Sequence, residues 1–203
     1  MTIKIVSVDS VMLYFEQTIS EAVLDRVQNA YSTLKELEGV IDIIPSYSSI
    51  LIQYDLSLYD YDSIQKAITK QLSTYQNISE TKENKLIKIP THYDKGLDLE
   101  RVAKYHQLTI EEVIELHTQT IYRVYAIGFM VGFAFLASVN KKIETPRLST
   151  PRAKVPKGSV AIADSQTAIY PQDSAGGWNI IGQTAFDNFD QFTVGDSVQF
   201  VRI

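Results

Sequence analysis

Three prolines spaced by five residues, Pro146, Pro151 and Pro156, are each followed by a cation, Arg147, Arg152 and Lys157, in the local repeat TPRLS, TPRAK, VPKGS. Proline fixes φ and removes a backbone donor, so this spacing predicts a stiff track outside any hydrogen-bonded ladder, with its cations held at set positions. A guanidinium is a two-pronged donor that matches carboxylate or phosphate. The chemistry to look for is therefore recognition of an anionic ligand or an acidic partner surface. Ion pairs with the protein's own carboxylates across a domain boundary account for the same cations, because most cations on loops are structural or merely solvated. A second stretch, SAGGWNIIGQT over residues 174–184, places Gly176 and Gly177 before the only tryptophan, Trp178. Paired glycines let backbone come close to a ligand, and the indole would wall it in. A tight turn followed by a core tryptophan explains the same letters.

Other catalytic patterns are sparse. His92, His106 and His117 are too widely and irregularly spaced for a metal-binding HExxH, so no metal site is expected. His117 ends a predicted helix, where a dipole-stabilised or hydrogen-bonded imidazole is the ordinary expectation. Neither the phosphate-binding GxxxxGK[ST] nor a GxSxG elbow occurs. Ser159 follows a glycine without an assignable general base, and Asp164 and Asp173 have the chemistry of a base or ligand but lie where carboxylates usually cap turns. With no cysteine, disulfides, thiolate zinc sites and a cysteine nucleophile are excluded. These residues describe an anion-facing cleft without naming a reaction.

The elements that must position this cleft fall into two groups. VMLYFE reads as a strand, and Ser20 caps a helix with the apolar face Val23, Val27, Ala30, Tyr31, Leu34 and Leu37, which Gly39 ends. VIDIIP and SSILIQYD read as strands, and a second amphipathic helix follows around Tyr61, Ile64, Ile68, Leu72 and Tyr75. With KLIKIP closing the series, the order β-α-β-β-α-β predicts a small ferredoxin-like α+β unit, with Asn77 to Lys85 as the linker. Two short helices come next, the second opening at Thr109 with a capping box to Glu112. From Ile121 onward, short apolar segments punctuated by proline and glycine predict a β-barrel or sandwich. Within it, VYAIGFMVGFAFLASV (124–139) is too short at about 24 Å of helix to cross a membrane. Its period of two predicts an extended chain packing its large residues into a core.

A length of 203 residues allows two small domains, and 45% hydrophobic with 21% charged residues fits a globular chain. The net charge of −5 argues against a broad nucleic-acid surface. MTIKIVSVDS has no basic segment leading into an apolar one, so no export is expected and the cytoplasm is the expected compartment.

Taken together, GFMVGFAFL, TPRLSTPRAKVPKGSVAIADSQTAIYP and SAGGWNIIGQT resemble the signature of the allophanate-hydrolase-subunit-1 family. Its pattern runs roughly GFxPGFPYL, PRxxxPRxxVPxGSVxIAGxQTGIYP and SPGGWxxIGxTP. Matching positions are Gly128, Phe129, Gly132, Phe133, Pro146, Arg147, Pro151, Arg152, Val155, Pro156, Gly158, Ser159, Gln166, Thr167, Tyr170, Pro171, Gly176, Gly177, Trp178 and Gly182. The likeness extends through GVIDIIPSYSSILIQYD, LTIEEVIELHTQTIYRVYAIGF and GDSVQFV, and so covers nearly the whole chain.

This resemblance implies an α+β chain with an N-terminal ferredoxin-like domain, residues 1–83, and a C-terminal cyclophilin-like β-barrel, residues 84–203. It places Gly128 and Gly132 in a strand-and-loop element lining the barrel. It implies the role of the B-type component in an ATP-dependent 5-oxoprolinase complex, which opens the lactam of 5-oxo-L-proline to L-glutamate. The implied partners are an A-type component of the lactam-utilisation kind and a C-type component of the allophanate-hydrolase-subunit-2 kind. ATP is then a co-substrate of the complex and not a ligand of this chain alone, which is expected to be inactive by itself. The same family implies two other roles, a Kip-type inhibitor of histidine kinase autophosphorylation and a component of an allophanate hydrolase or urea carboxylase. No nucleic acid and no membrane is an expected partner. On their chemistry, not on the resemblance, a substrate or partner cleft is expected to draw on Arg147, Arg152, Ser159, Gln166, Thr167, Tyr170, Gly176, Gly177 and Trp178, with Arg147 or Arg152 holding the substrate carboxylate or an acyl phosphate formed on another protein of the complex. Gly128, Phe129, Gly132, Phe133, Pro146, Pro151, Pro156 and Gly158 are expected to shape it. Val131, Ala134, Ala175 and Ala185 stand where the family has proline, and Asp164 and Ala168 where it has glycine, so those loops are expected to be reshaped.

Overall fold

Residues 1–74 and 85–203 are described by the computed structural model. The predicted helix-face residue Tyr75, the linker expected over Asn77 to Lys85 (Lys85 apart) and the boundary between residues 83 and 84 lie outside the described residues. The chain divides into two units, Met1–Glu83 and Asn84–Ile203.

In the first unit the order is β1 (Thr2–Ser7), β2 (Ser10–Tyr14), α1 (Glu21–Leu34), β3 (Val40–Pro45), β4 (Ser49–Tyr54) and α2 (Tyr61–Thr74). The strands form one antiparallel sheet in the order β1-β2-β4-β3. The Ser20 hydroxyl accepts the Val23 N–H at 3.3 Å and starts α1, whose Val23, Val27, Ala30 and Leu34 pack with Leu13, Ile50, Ile52, Ile64 and Ile68. The helix stops at Leu34, short of Gly39: the Lys35 and Leu37 amides close the last turn on the Tyr31 and Leu34 carbonyls. Gly39, at φ +80°, turns the chain into β3.

KLIKIP does not complete this sheet. The place beside β2 belongs to β1, which reaches it through a short local turn at low closure entropy. KLIKIP is β5 (Leu86–Thr91), the edge strand of the second unit's sheet, where it runs parallel to the last strand of the chain.

The second unit continues with α3 (Leu99–His106), α4 (Ile110–Thr118), β6 (Tyr122–Ile127), β7 (Ala134–Ala137), β8 (Arg152–Val155), β9 (Ser159–Ala163), β10 (Gln166–Ile169), β11 (Ser174–Gly176), β12 (Asn179–Gln183) and β13 (Ser197–Arg202). Seven strands form one sheet in the order β12-β9-β10-β7-β6-β13-β5. Its two edges meet where the backbones of His92 and Gln183 exchange hydrogen bonds of 2.8 and 2.9 Å, so the sheet nearly closes into a barrel. Val124, Leu136, Val160, Ile162, Ile169, Ile181, Val198 and Phe200 fill its interior together with Val102 of α3 and Val113 and Ile114 of α4. The capping box at Thr109 and Glu112 is formed, with both reciprocal bonds present.

Two further expectations need correction. The run 124–139 is not one extended chain but a hairpin of β6 and β7, reversing at Phe129 and Gly132, which have φ of 71° and 79°. Phe129 and Val131 at its tip are 69% and 86% exposed, because residues outside a ladder no longer alternate between two faces. The proline track also enters a ladder: Pro151 and Pro156 bracket β8, which pairs with β11 as a short two-stranded ribbon. Proline tolerates such positions just outside a strand, where no ladder donor is lost.

Candidate functional site

The strands β9 and β10 are covered on both faces. Val160, Ile162, Thr167 and Ile169 face the interior, while Ala161, Ala163, Ala168 and Tyr170 belong to a second cluster on the outer face. Three alanines make a low floor there, and large rings stand over it. Phe133 meets Trp178 edge-on at 5.7 Å, Tyr170 at 5.4 Å and Phe135 at 4.8 Å between centroids. Gly176 is needed beside them, since a Cβ at that position would stand 2.3 Å from the Tyr170 hydroxyl oxygen.

Two cations converge on this face. The Arg147 guanidinium lies over the Trp178 ring, 5.7 Å from its centroid. Arg152 donates from Nη2 to Asp98 Oδ1 at 2.7 Å, and Asp98 Oδ2 accepts the Ile180 N–H at 2.7 Å. Arg152 Nη1 is buried and has no hydrogen-bond partner among the described residues. Burial raises the Tyr170 phenol above its ordinary pKa, while the charges of Arg147 and Arg152 and the Trp178 backbone N–H pull the other way. Asn179 ties the edge together: it accepts from Arg101 and donates to the Pro146 carbonyl at 3.0 Å and the Ile162 carbonyl at 3.2 Å.

Of the expected cleft residues, the structure brings together Arg147, Arg152, Tyr170, Gly176 and Trp178. Gly177 adjoins them through its carbonyl, which accepts the Leu148 N–H at 2.7 Å. Ser159 is buried at the start of β9, and no histidine or carboxylate reaches its hydroxyl among the described residues. Gln166 lies at the other end of β10 from Tyr170. Thr167 stands apart from the cluster, on the inner face: fully buried, it sits 2.9 Å from His117 Nε2 and donates to the Ala161 carbonyl at 3.1 Å.

The shaping residues are spread around the cluster. Gly128 and Phe129 open the β6–β7 reversal, where the Gly128 N–H reaches the Phe133 carbonyl at 3.1 Å. Pro156 accepts the Ser159 N–H at 3.2 Å, and Gly158 turns the chain between β8 and β9 at φ +81°. Lys157 donates its backbone N–H to Asp173, which also pairs with Lys154 at 2.8 Å, so Asp173 caps a turn. Asp164, where the family has glycine, adopts a left-handed φ of 50°, a conformation that aspartate tolerates better than most side chains.

Asp98 and the interior histidine network escaped the reading of the motifs. His117 is fully buried, with Nδ1 2.6 Å from the Tyr93 hydroxyl. Because Thr167 donates to Ala161, it accepts from His117 Nε2–H, which leaves Nδ1 to accept from Tyr93. Burial lowers the His117 pKa to about 3, so the ring is neutral. Asp98 carries no local signal beyond its place before α3, because both of its side-chain partners are remote in sequence.

Known proteins bear on this geometry. A family model described as carboxyltransferase domain, subdomain C and D, matches residues 1–197. The chain is 36% identical to the B-type 5-oxoprolinase component of Bacillus subtilis (strain 168), across 96% of this chain and 89% of that protein. Among solved structures it is similar to TTHA0988, with a TM-score of 0.84 and 30% identity over 97% of this chain and 40% of that longer one. Its fold is also that of a region of the K. lactis urea amidolyase, with a TM-score of 0.74 at 15% identity over 96% of this chain and 14% of that one.

Proposed function

The chain belongs to the carboxyltransferase-domain family of subdomains C and D, in line with its motifs, and from that premise we propose that it is the B-type component of an ATP-dependent 5-oxoprolinase complex. The complex opens the lactam of 5-oxo-L-proline to L-glutamate in the cytoplasm. The name of the Bacillus subtilis relative supports this reading. The observation that carries it is the outer face of the barrel, where Arg147, Arg152 and Tyr170 meet an aromatic wall and the buried Nη1 of Arg152 lacks an acceptor among the described residues. That is a site for holding an anionic substrate, not for cleaving a bond by itself.

A lactam is a resonance-stabilised amide, so opening it with ATP calls for a phosphate-binding site and a group that activates water. Those parts are assigned to an A-type partner of the lactam-utilisation kind and a C-type partner of the allophanate-hydrolase-subunit-2 kind. This chain holds and orients the substrate. The finer fold assignment goes with this reading: a ferredoxin-like first unit, supported by the order β1-β2-β4-β3 with α1 joining β2 to β3, and a cyclophilin-like barrel as the second.

The test is ATP-dependent glutamate release from 5-oxoproline by this chain mixed with its A-type and C-type partners, each omitted in turn. Activity that disappears without this chain supports the proposal. An assembled complex that stays inactive on 5-oxoproline overturns it, and the same mixtures assayed with urea-derived substrates and for inhibition of histidine kinase autophosphorylation then separate the other two roles of the family.

A further inference from the structure

The two arginines on the outer face come from one repeat and end in unlike surroundings. Arg152 is anchored. Its bond to Asp98 is made to a carboxylate only 5% exposed, and that carboxylate is itself held by the Ile180 N–H. Arg152 therefore cannot swing away without leaving a buried charge unpaired, and its Nη1 edge is fixed in direction. That edge is enclosed and meets no acceptor among the described residues, a condition that native folds rarely keep unless an oxygen from outside the chain meets the donor. Arg147 has no carboxylate partner among the described residues. Its guanidinium rests on the Trp178 ring, and stacking of this kind leaves the in-plane donors free. Arg152 is the register partner of Gly176, which abuts the Tyr170 hydroxyl, and Arg147 stacks on Trp178 two residues further on, so the two guanidiniums serve one locality.

We propose that Arg147 and the Nη1 edge of Arg152 are the two prongs of an oxyanion site, with Tyr170 beside them and Trp178 as its wall, and that its ligand is the carboxylate of a compact cyclic substrate. This rests on the reading that the outer face meets the substrate, and it divides the work between residues. Arg147 contacts the ligand and adapts to it. Arg152 contacts it from a fixed direction. Asp98 is a positioning residue that acts through Arg152. Two cations in place of one favour an anion over a water molecule as the missing acceptor, and two planar forks match the paired oxygens of a carboxylate. A phosphoryl group presents the same oxygens, so the experiment must separate the two sources.

Trp178 is the only tryptophan in the chain, so its fluorescence reports directly on the surface beneath Arg147. The full chain is titrated with 5-oxo-L-proline, with 2-pyrrolidinone, which is the same ring without the carboxylate, and with inorganic phosphate. The expected result is a saturable change with 5-oxo-L-proline and none with 2-pyrrolidinone over the same range. Arg147→Ala weakens binding about tenfold or more, the loss of a charge-assisted hydrogen bond, and Arg147→Lys falls between. Asp98→Ala weakens binding, while Asp98→Asn, which keeps an acceptor for Arg152, restores most of it; a merely structural role would lower the melting temperature of both without this rescue in affinity.

An equal response to 2-pyrrolidinone, unchanged affinity in Arg147→Ala, or no saturable response to either anion overturns the proposal. Saturation by phosphate alone overturns the carboxylate assignment and gives the prongs to a phosphoryl group. Binding without turnover in the assembled complex leaves the site standing and removes the 5-oxoprolinase reading. Turnover without binding here does the reverse.

Discussion

The two faces of β9 and β10 bury polar groups in opposite ways. Inside the barrel, Tyr93, His117 and Thr167 form a chain in which every donor has an acceptor, ending on the Ala161 carbonyl, and burial keeps the imidazole neutral. Across the same ladder, the outer face holds full charges, Arg152 against Asp98 and Arg147 over Trp178, and leaves the buried Arg152 Nη1 unmet among the described residues. A satisfied neutral network specifies and stabilises a core. A charged and incompletely satisfied one costs stability, and is retained where a ligand completes it. The contrast supports the proposed placement of the anion site on the outside of the barrel.

The largest effect that would test this contrast is on the inner face. His117→Ala removes a fully buried ring and strands Tyr93 and Thr167, so stability should drop by about 3–5 kcal/mol in denaturant titrations. Anion affinity at Trp178 should survive in whatever fraction remains folded; a selective loss of affinity would break the separation of the two faces. Next is Gly176→Ala, whose methyl would press on the Tyr170 oxygen from 2.3 Å and should cost about 1–3 kcal/mol while altering the Trp178 emission. Gly177→Ala, whose added methyl would meet its nearest neighbours at 3.7 Å, is the control and should cost well under about 1 kcal/mol.

Acid sharpens the comparison further. His117 titrates at about 3 in the fold against an ordinary value of 6.5, so between those values only the unfolded chain takes up the proton. Its contribution is complete above about pH 6.5 and lost as pH falls toward 3, by at most about 1.4 kcal/mol per pH unit, a slope that His117→Asn should abolish in pH-dependent unfolding. The smallest effect is at the rim: Lys154→Gln breaks an ion pair whose side chains are 71% and 53% exposed, and should change stability by less than about 0.5 kcal/mol.

Much of this was legible in advance where the physics is local. The Thr109 and Glu112 capping box and the Ser20 cap depend on residues three apart, and both formed. The barrel strands followed from short apolar segments and alternation, as in β13, where Val198 and Phe200 are buried. The proline-cation repeat drew attention to Arg147 and Arg152, and the structure separates them: Arg152 pairs with the protein's own Asp98, within one unit and not across a domain boundary, while Arg147 lies on Trp178. Thr167 was drawn toward the cleft by its motif, and only strand register turned it inward.

Periods, caps and turn chemistry are written in neighbouring residues, so the sequence by itself determined the helices, the β-rich second half and the motif that names the family. Partnership between distant segments was decided by the tertiary structure alone. β5 joins β13 across more than a hundred residues, and Asp98 meets Arg152 across fifty-four. Such pairings depend on which edges and faces remain open once the local elements have formed, and no short window of sequence carries that information.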